Sequence, residues 1–255
     1  MSITFTKDGH VARVTLDNPK ALNAISPAMD DALAAAWTEI DNDPEIWVAI
    51  LDATPGKAFC SGADVSGGTD RNRRMALGGG LTGVGGPQYH LRTPLIAAVH
   101  GYVIGGGFEL AMCADIIVAA EDAQFFIPEV KAGIIGEAGI IHRAIRQLPH
   151  HIAMGMILTG DRLPAAEAGR YGLVNEVVPV DELPAAADRW ATKIISCAPL
   201  AVQAAKDAAL RGLGMPLEQA LTTRYEPIEA YAGTKDQLEG ITAFAEKRKP
   251  VWTGR

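Results

Sequence analysis

Cysteine is scarce in this chain. Cys60, Cys113 and Cys197 are the three in 255 residues, and their wide spacing matches no metal-ligand pattern. They fit reduced thiols in a cytoplasmic protein, each serving as a small buried hydrophobe. No window approaches the roughly 20 apolar residues that span a bilayer, because the longest apolar stretches contain glycine or are broken by charge. Met1 to Lys7 alternates apolar and polar residues, which predicts a strand and not a signal peptide. Positive charge is in deficit: 23 Lys and Arg face 30 Asp and Glu, a formal charge of -7, which argues against an extended nucleic-acid surface. There is no internal repeat, the glycines at 105–107 lack the G-x-G-x-x-G spacing of a dinucleotide loop, and no Ser–His–Asp triad can be assembled. A cytoplasmic enzyme with no membrane or nucleic-acid partner is the expectation these absences leave.

What is present is an ordinary globular composition, 48% hydrophobic and 21% charged. Up to about residue 145, strand-like runs alternate with helices, which implies crossover units and a largely parallel sheet. Val11–Leu16 alternates as a half-buried strand. Trp47–Leu51, Leu95–Val99 and Asp115–Ala119 are apolar enough to be buried on both faces. Ser26 and Pro27 open a helix as N-cap and first residue, and Met29, Leu33, Ala36, Trp37 and Ile40 recur on one face before Pro44. From about Glu137 the pattern is mainly helical. A strand-like run lies at 174–178, an alanine-rich stretch from Asp181 to Ala209 is broken at Ala198-Pro199, and a last helix covers about Thr234 to Lys247. Residues 66–86, rich in glycine and carrying Arg71, Arg73 and Arg74, read either as a mobile lid or as disorder.

The chemistry concentrates after the Leu95–Val99 strand. Gly105-Gly106-Gly107 precedes an apolar helix start, Phe108-Glu109-Leu110-Ala111-Met112. A strand, a glycine turn and a helix start expose backbone N–H groups to an anion, and glycine lets a ligand approach the backbone closely. Tight helix–sheet packing would explain the glycines equally, but not Glu109, a carboxylate on an apolar helix that is costly without a partner or a task. Lys57-Ala58-Phe59-Cys60-Ser61-Gly62-Ala63-Asp64 offers a second glycine turn after a strand, and Phe125-Phe126-Ile127-Pro128-Glu129 a second carboxylate in an apolar run. His100, at the end of a strand, reads as a hydrogen-bonded scaffold residue, and His150 and His151 as surface residues at a helix start.

Together with Asn18-Pro19-Lys20-Ala21-Leu22-Asn23-Ala24, these segments resemble the enoyl-CoA hydratase/isomerase (crotonase) family, in the same order from about residue 3 to the C-terminus. The ending Ala243-Phe244-Ala245-Glu246-Lys247-Arg248-Lys249-Pro250-Val251-Trp252 is similar to that of carnitinyl-CoA dehydratase-like and enoyl-CoA hydratases. The resemblance implies an α/β crotonase-like fold: ββα spiral repeats forming a parallel sheet core over residues 1–195, and a C-terminal helical trimerisation region over 196–255. It implies reversible hydration of 2-enoyl-CoA thioesters, or dehydration of 3-hydroxyacyl-CoA, with double-bond isomerisation as the alternative. The Ala63 and Gly106 amides would form an oxyanion hole. Glu109 would act mainly on the water and Glu129 on the proton at the α carbon. Lys20, Ala21, Lys57 and Asp64 would line the coenzyme A groove, reached by Phe244 and Lys247 of a neighbouring subunit in a homotrimer or dimer of trimers. No metal and no cofactor is implied, since coenzyme A belongs to the substrate.

One departure stands out. Many hydratases read Gly-Ile-Ile-Pro-Gly-Ala-Gly-Gly where this chain has Gly133-Ile134-Ile135-Gly136-Glu137-Ala138-Gly139-Ile140. Glu137 is either a cap-like carboxylate opening a helix near Ala138 or a third acid in the acyl pocket. In the pocket it would shift preference away from simple straight-chain enoyl groups.

Overall fold

The computed structural model describes residues 3–64, 84 and 90–255, so most of the glycine-rich stretch 66–86 lies outside the described residues. Among the described residues, ten strands form two sheets. The larger sheet runs β1 (Ile3–Asp8), β2 (Val11–Leu16), β3 (Val48–Ala53), β5 (Leu95–Val99), β7 (Ile116–Ala120), β10 (Glu176–Val178). Only the β1–β2 hairpin in it is antiparallel. The smaller sheet runs β4 (Ala58–Cys60), β6 (Tyr102–Ile104), β8 (Gln124–Phe126), β9 (Arg162–Pro164), with β4, β6 and β8 parallel. Each crossover therefore lays one strand in the large sheet and the next in the small one: β3 then β4, β5 then β6, β7 then β8. These strand pairs, wound in the same sense along the chain, are the spiral repeat.

Alternation along the central strands explains the layering. Val48, Ile50, Ile96, Ala98, Val118 and Ala120 meet Leu183, Ala186, Ala187 and Ala191 of a helix over Leu183–Ile195. Their neighbours Ala49, Leu51, Leu95, Ala97 and Val99 face the main core, shared with Phe59, Phe108 and Phe125 near the small sheet. Helix α1 (Pro27–Asn42) closes that core with Met29, Leu33, Ala36, Trp37 and Ile40, and Ser26 Oγ accepts a hydrogen bond from Met29 N–H at 3.3 Å. Both the cap and the buried face are as the spacing predicts. Three short strands of the small sheet, β4, β6 and β8, were not separable by periodicity. At three residues each they hold too little alternation to read.

Further helices carry the chain onward: α2 (Gly106–Ala111), α3 (Ile140–Gln147), α4 (His150–Thr159), α5 (Ala165–Arg170) and α6 (Leu183–Ile195). Pro199 starts α7 (Pro199–Gly212), then come α8 (Leu217–Thr222), α9 (Glu226–Tyr231) and α10 (Lys235–Glu246). Among the cysteines only Cys60 is fully buried. Cys197, expected inside, is exposed in the turn between α6 and α7. His150 and His151 are exposed at the start of α4, as expected. His100 is buried; its Nε2 has no hydrogen-bond partner among the described residues, and burial holds its pKa below the usual value.

Candidate active site

Parallel strands gather the site, because loops leaving the same end of adjacent parallel strands become neighbours. β4 pairs with β6 (Cys60 beside Val103) and β6 with β8 (Ile104 beside Phe126). The next residues along each strand are Ser61-Gly62-Ala63, Gly105-Gly106 and Ile127-Pro128-Glu129. Gly105 N–H donates to Phe126 O at 3.0 Å, stitching the second loop to the third. Gly62 and Gly106 touch: a Cβ at Gly62 would stand 3.0 Å from Gly106 N. Among the described residues neither the Ala63 nor the Gly106 N–H donates a hydrogen bond. The two amides are thus adjacent and available, as an oxyanion hole requires.

Backbone angle more than crowding calls for glycine here. Gly105 has φ +48, and a Cβ on it would overlap Glu129 Oε1, so the second carboxylate lies directly over the glycine turn. Glu129 sits in a 3-10 turn, Pro128–Ala132, and its Oε2 is buried with no hydrogen-bond partner among the described residues. Burial raises its pKa above the usual carboxylate value.

Glu109 lies one turn into α2 and is 2% exposed. Ile140 N–H, the first amide of α3, donates to Glu109 Oε1 at 2.6 Å. Burial pushes Glu109 up to about 7, and the charge of Glu129 pushes the same way. The Ile140 amide and Arg143 oppose them. Burial thus raises the pKa of both acids, and the charge of Glu129 adds to the rise at Glu109.

Glu129 also lines a cavity of about 380 Å³ walled by Ile127, Val130, Ile135, Ile141, Ile145 and Ile157. An apolar chamber ending on a carboxyl group can seat a hydrocarbon chain beside an acid. These isoleucines were invisible as site residues in the sequence, since an apolar wall and a packed core look alike there. The Ile140 amide was missed for a similar reason, because a backbone donor leaves no side-chain signature.

Glu137 sits exposed in the turn before α3. The N-cap position at that helix start is held by Gly139, two residues after Glu137. Nor is Glu137 among the residues lining the apolar cavity. Lys20 and Ala21 lie exposed in a 3-10 turn, Pro19–Ala21, and Lys57 is exposed opposite. The two segments adjoin, since a Cβ at Gly56 would be 3.6 Å from Pro19 Cβ. Asp64 is anchored through its backbone N–H to Ile25 O at 2.9 Å. Phe244, on α10, is 88% exposed, and Lys247 caps that helix with φ +55.

The chain matches the family Enoyl-CoA hydratase/isomerase over residues 6–255. It belongs to that family. An (E)-benzylidenesuccinyl-CoA hydratase of Thauera aromatica is 37% identical over 257 residues, covering all of both chains. A carnitinyl-CoA dehydratase of Salmonella typhi is 40% identical over 263 residues, covering 100% of this chain and 99% of that one. Among solved structures, a protein of Novosphingobium aromaticivorans assigned as a short chain enoyl-CoA hydratase is 61% identical, with a TM-score of 0.92 over 100% of this chain and 98% of that one. An enoyl-CoA hydratase of Mycobacterium tuberculosis is 36% identical with a TM-score of 0.90, over 100% and 99%. The two-sheet spiral is therefore the crotonase fold, and membership places the chain among enzymes that hydrate or dehydrate CoA thioesters. Among the described residues no helix is long and apolar enough to cross a membrane, and no group of three or more acidic, His or Cys side chains could hold a metal ion.

Proposed function

We propose that the protein catalyses the reversible hydration of 2-enoyl-CoA thioesters, with Glu109 and Glu129 as the catalytic acids and the Ala63 and Gly106 amides as the oxyanion hole. The observation that carries this reading is the convergence of a buried carboxyl pair, one member of which lines an apolar chamber, with two amides that donate no hydrogen bond among the described residues.

In the hydration direction, ionised Glu109 accepts a proton from water as its oxygen bonds to C3 of the enoyl group. The electron pair of the C2–C3 double bond moves onto the thioester, and negative charge develops on its carbonyl oxygen. Two preorganised N–H donors there are worth about 3 kcal/mol each. Protonated Glu129 then delivers a proton to C2, which completes the 3-hydroxyacyl thioester. Acid–base assistance of this kind contributes about 10²–10⁴-fold per group. No metal or redox group takes part in this scheme. Lys20 and Lys57 would meet the coenzyme A phosphates with Ala21 and Asp64 beside them. Phe244 and Lys247 would reach the same coenzyme from a neighbouring subunit. The named relatives act on bulky acyl groups, a benzylidenesuccinyl and a carnitinyl unit. The chamber beside Glu129 is mostly aliphatic, with Met154 and one polar ring, His142, in its wall, which favours an uncharged hydrocarbon tail.

Turnover of crotonyl-CoA within a panel of enoyl-CoA and 3-hydroxyacyl-CoA thioesters tests the proposal, and inactivity across the whole panel would sink it. A double-bond isomerase needs one base at the α carbon and no activated water. Glu109→Gln separates the two readings, because it removes hydration but spares isomerisation by Glu129.

A further inference from the structure

Between the loops that carry Ala63 and Gly106 lies a side chain that the reaction scheme does not use. Cys60, the last residue of β4, is fully buried, and its sulfur is the middle of a two-bond relay. Gly62 N–H donates to Cys60 Sγ at 3.4 Å, and the thiol donates to Asn23 O at 3.2 Å. Asn23 is itself fixed: buried, at φ +54, its Nδ2 donates to Ala58 O at 3.0 Å and its Oδ1 accepts from Asn18 N–H at 2.7 Å. The other loop rests on the same residue. A Cβ at Gly107 would overlap the Cys60 carbonyl oxygen and come within 2.7 Å of Cys60 Cβ.

The Ala63 N–H and the Gly62 carbonyl share one planar peptide unit, so fixing one aims the other. Gly62 O accepts from Ile25 N–H at 2.8 Å, which sets the far side of that plane. The Gly62 N–H to sulfur bond fixes the preceding peptide unit, one Cα away, and so limits the rotation left to the Ala63 amide. We propose that Cys60 is a positioning residue: braced on Asn23, its thiol holds the Gly62 turn so that the Ala63 amide converges with the Gly106 amide on one oxygen. This rests on the oxyanion-hole reading above. Burial pushes the thiol up to about 12, so it stays a proton donor throughout the neutral range.

The test compares wild type with Cys60→Ser, Cys60→Ala and Cys60→Val. Hydration of crotonyl-CoA gives kcat and KM, and infrared difference spectra of bound butyryl-CoA, labelled with carbon-13 at the thioester carbonyl, report polarisation of that bond. One hydrogen bond of ordinary strength corresponds to roughly a 3- to 10-fold fall in kcat for Ala and Val, with KM held within about twofold. Both variants should also lose part of the carbonyl downshift seen in wild type. Ser, which keeps a donor and an acceptor, should stay within about twofold of wild type and restore the downshift. Unchanged kcat in both Ala and Val, or a lower kcat with an unaltered carbonyl frequency, overturns the positioning role. Wild type inactive on every thioester overturns the hydratase reading instead, and so the two failures are told apart.

Discussion

A carboxylic acid as buried as Glu109 has a measurable consequence for stability as well as for turnover. Its pKa is about 7 against an ordinary 4.5, raised first by burial. The folded state then holds the proton more tightly than the unfolded chain does. The associated stability is fully present below about pH 4.5 and is lost as pH rises through about 7. At pH 8 the fold carries a penalty on the order of 3 kcal/mol from this one group. Glu109→Gln should therefore unfold at higher denaturant than wild type at pH 8, and show little gain at pH 4, while hydration is lost. Equal stability at both values would contradict the burial argument. In wild type, kcat/KM for hydration should rise with pH along a limb near 7, where the ionised form needed for the water accumulates. That limb belongs to the Glu109–Glu129 pair, not to one residue.

At the level of elements, the site exists because three very short parallel strands end side by side. Their contact with α2 leaves no space for a side chain at Gly107, where the obstructing atoms are the carbonyl group and the Cβ of Cys60. Gly107→Ala should cost about 1–3 kcal/mol by overpacking, read as a lowered midpoint in urea, with loss of activity because α2 carries Glu109. A wild-type midpoint would show that the small sheet is not so tightly closed. The same elements decide what was legible in the sequence. The long apolar strands β3, β5 and β7 and the capped α1 were clear, since periodicity, caps and length all act locally. Glu109 and Glu129 could be singled out because a carboxylate in an apolar run is conspicuous. The small sheet, the Ile140 amide and the isoleucine chamber arise only when distant segments meet. Sequence left Glu137 either as a cap or as an acyl-pocket acid, because helix starts are uncertain by a residue or two; the N-cap position falls at Gly139.

At the scale of the molecule, the C-terminal helices leave large apolar side chains in the open: Leu213 and Leu221 at 75%, Val251 at 70%, Phe244 at 88%. Exposure of this kind over α7 to α10 is a surface that association would cover. Sedimentation velocity should give a trimer or a multiple of three, and Leu221→Asp should shift it toward smaller species. A wild-type monomer at micromolar concentration would refute this. The most direct test of the whole account is turnover by the intact enzyme and by Glu129→Gln on crotonyl-CoA, with acyl-CoA affinity measured in parallel. The account predicts active wild type and a variant that binds acyl-CoA almost as well yet turns over at least about 100-fold more slowly. A variant as active as wild type would contradict it.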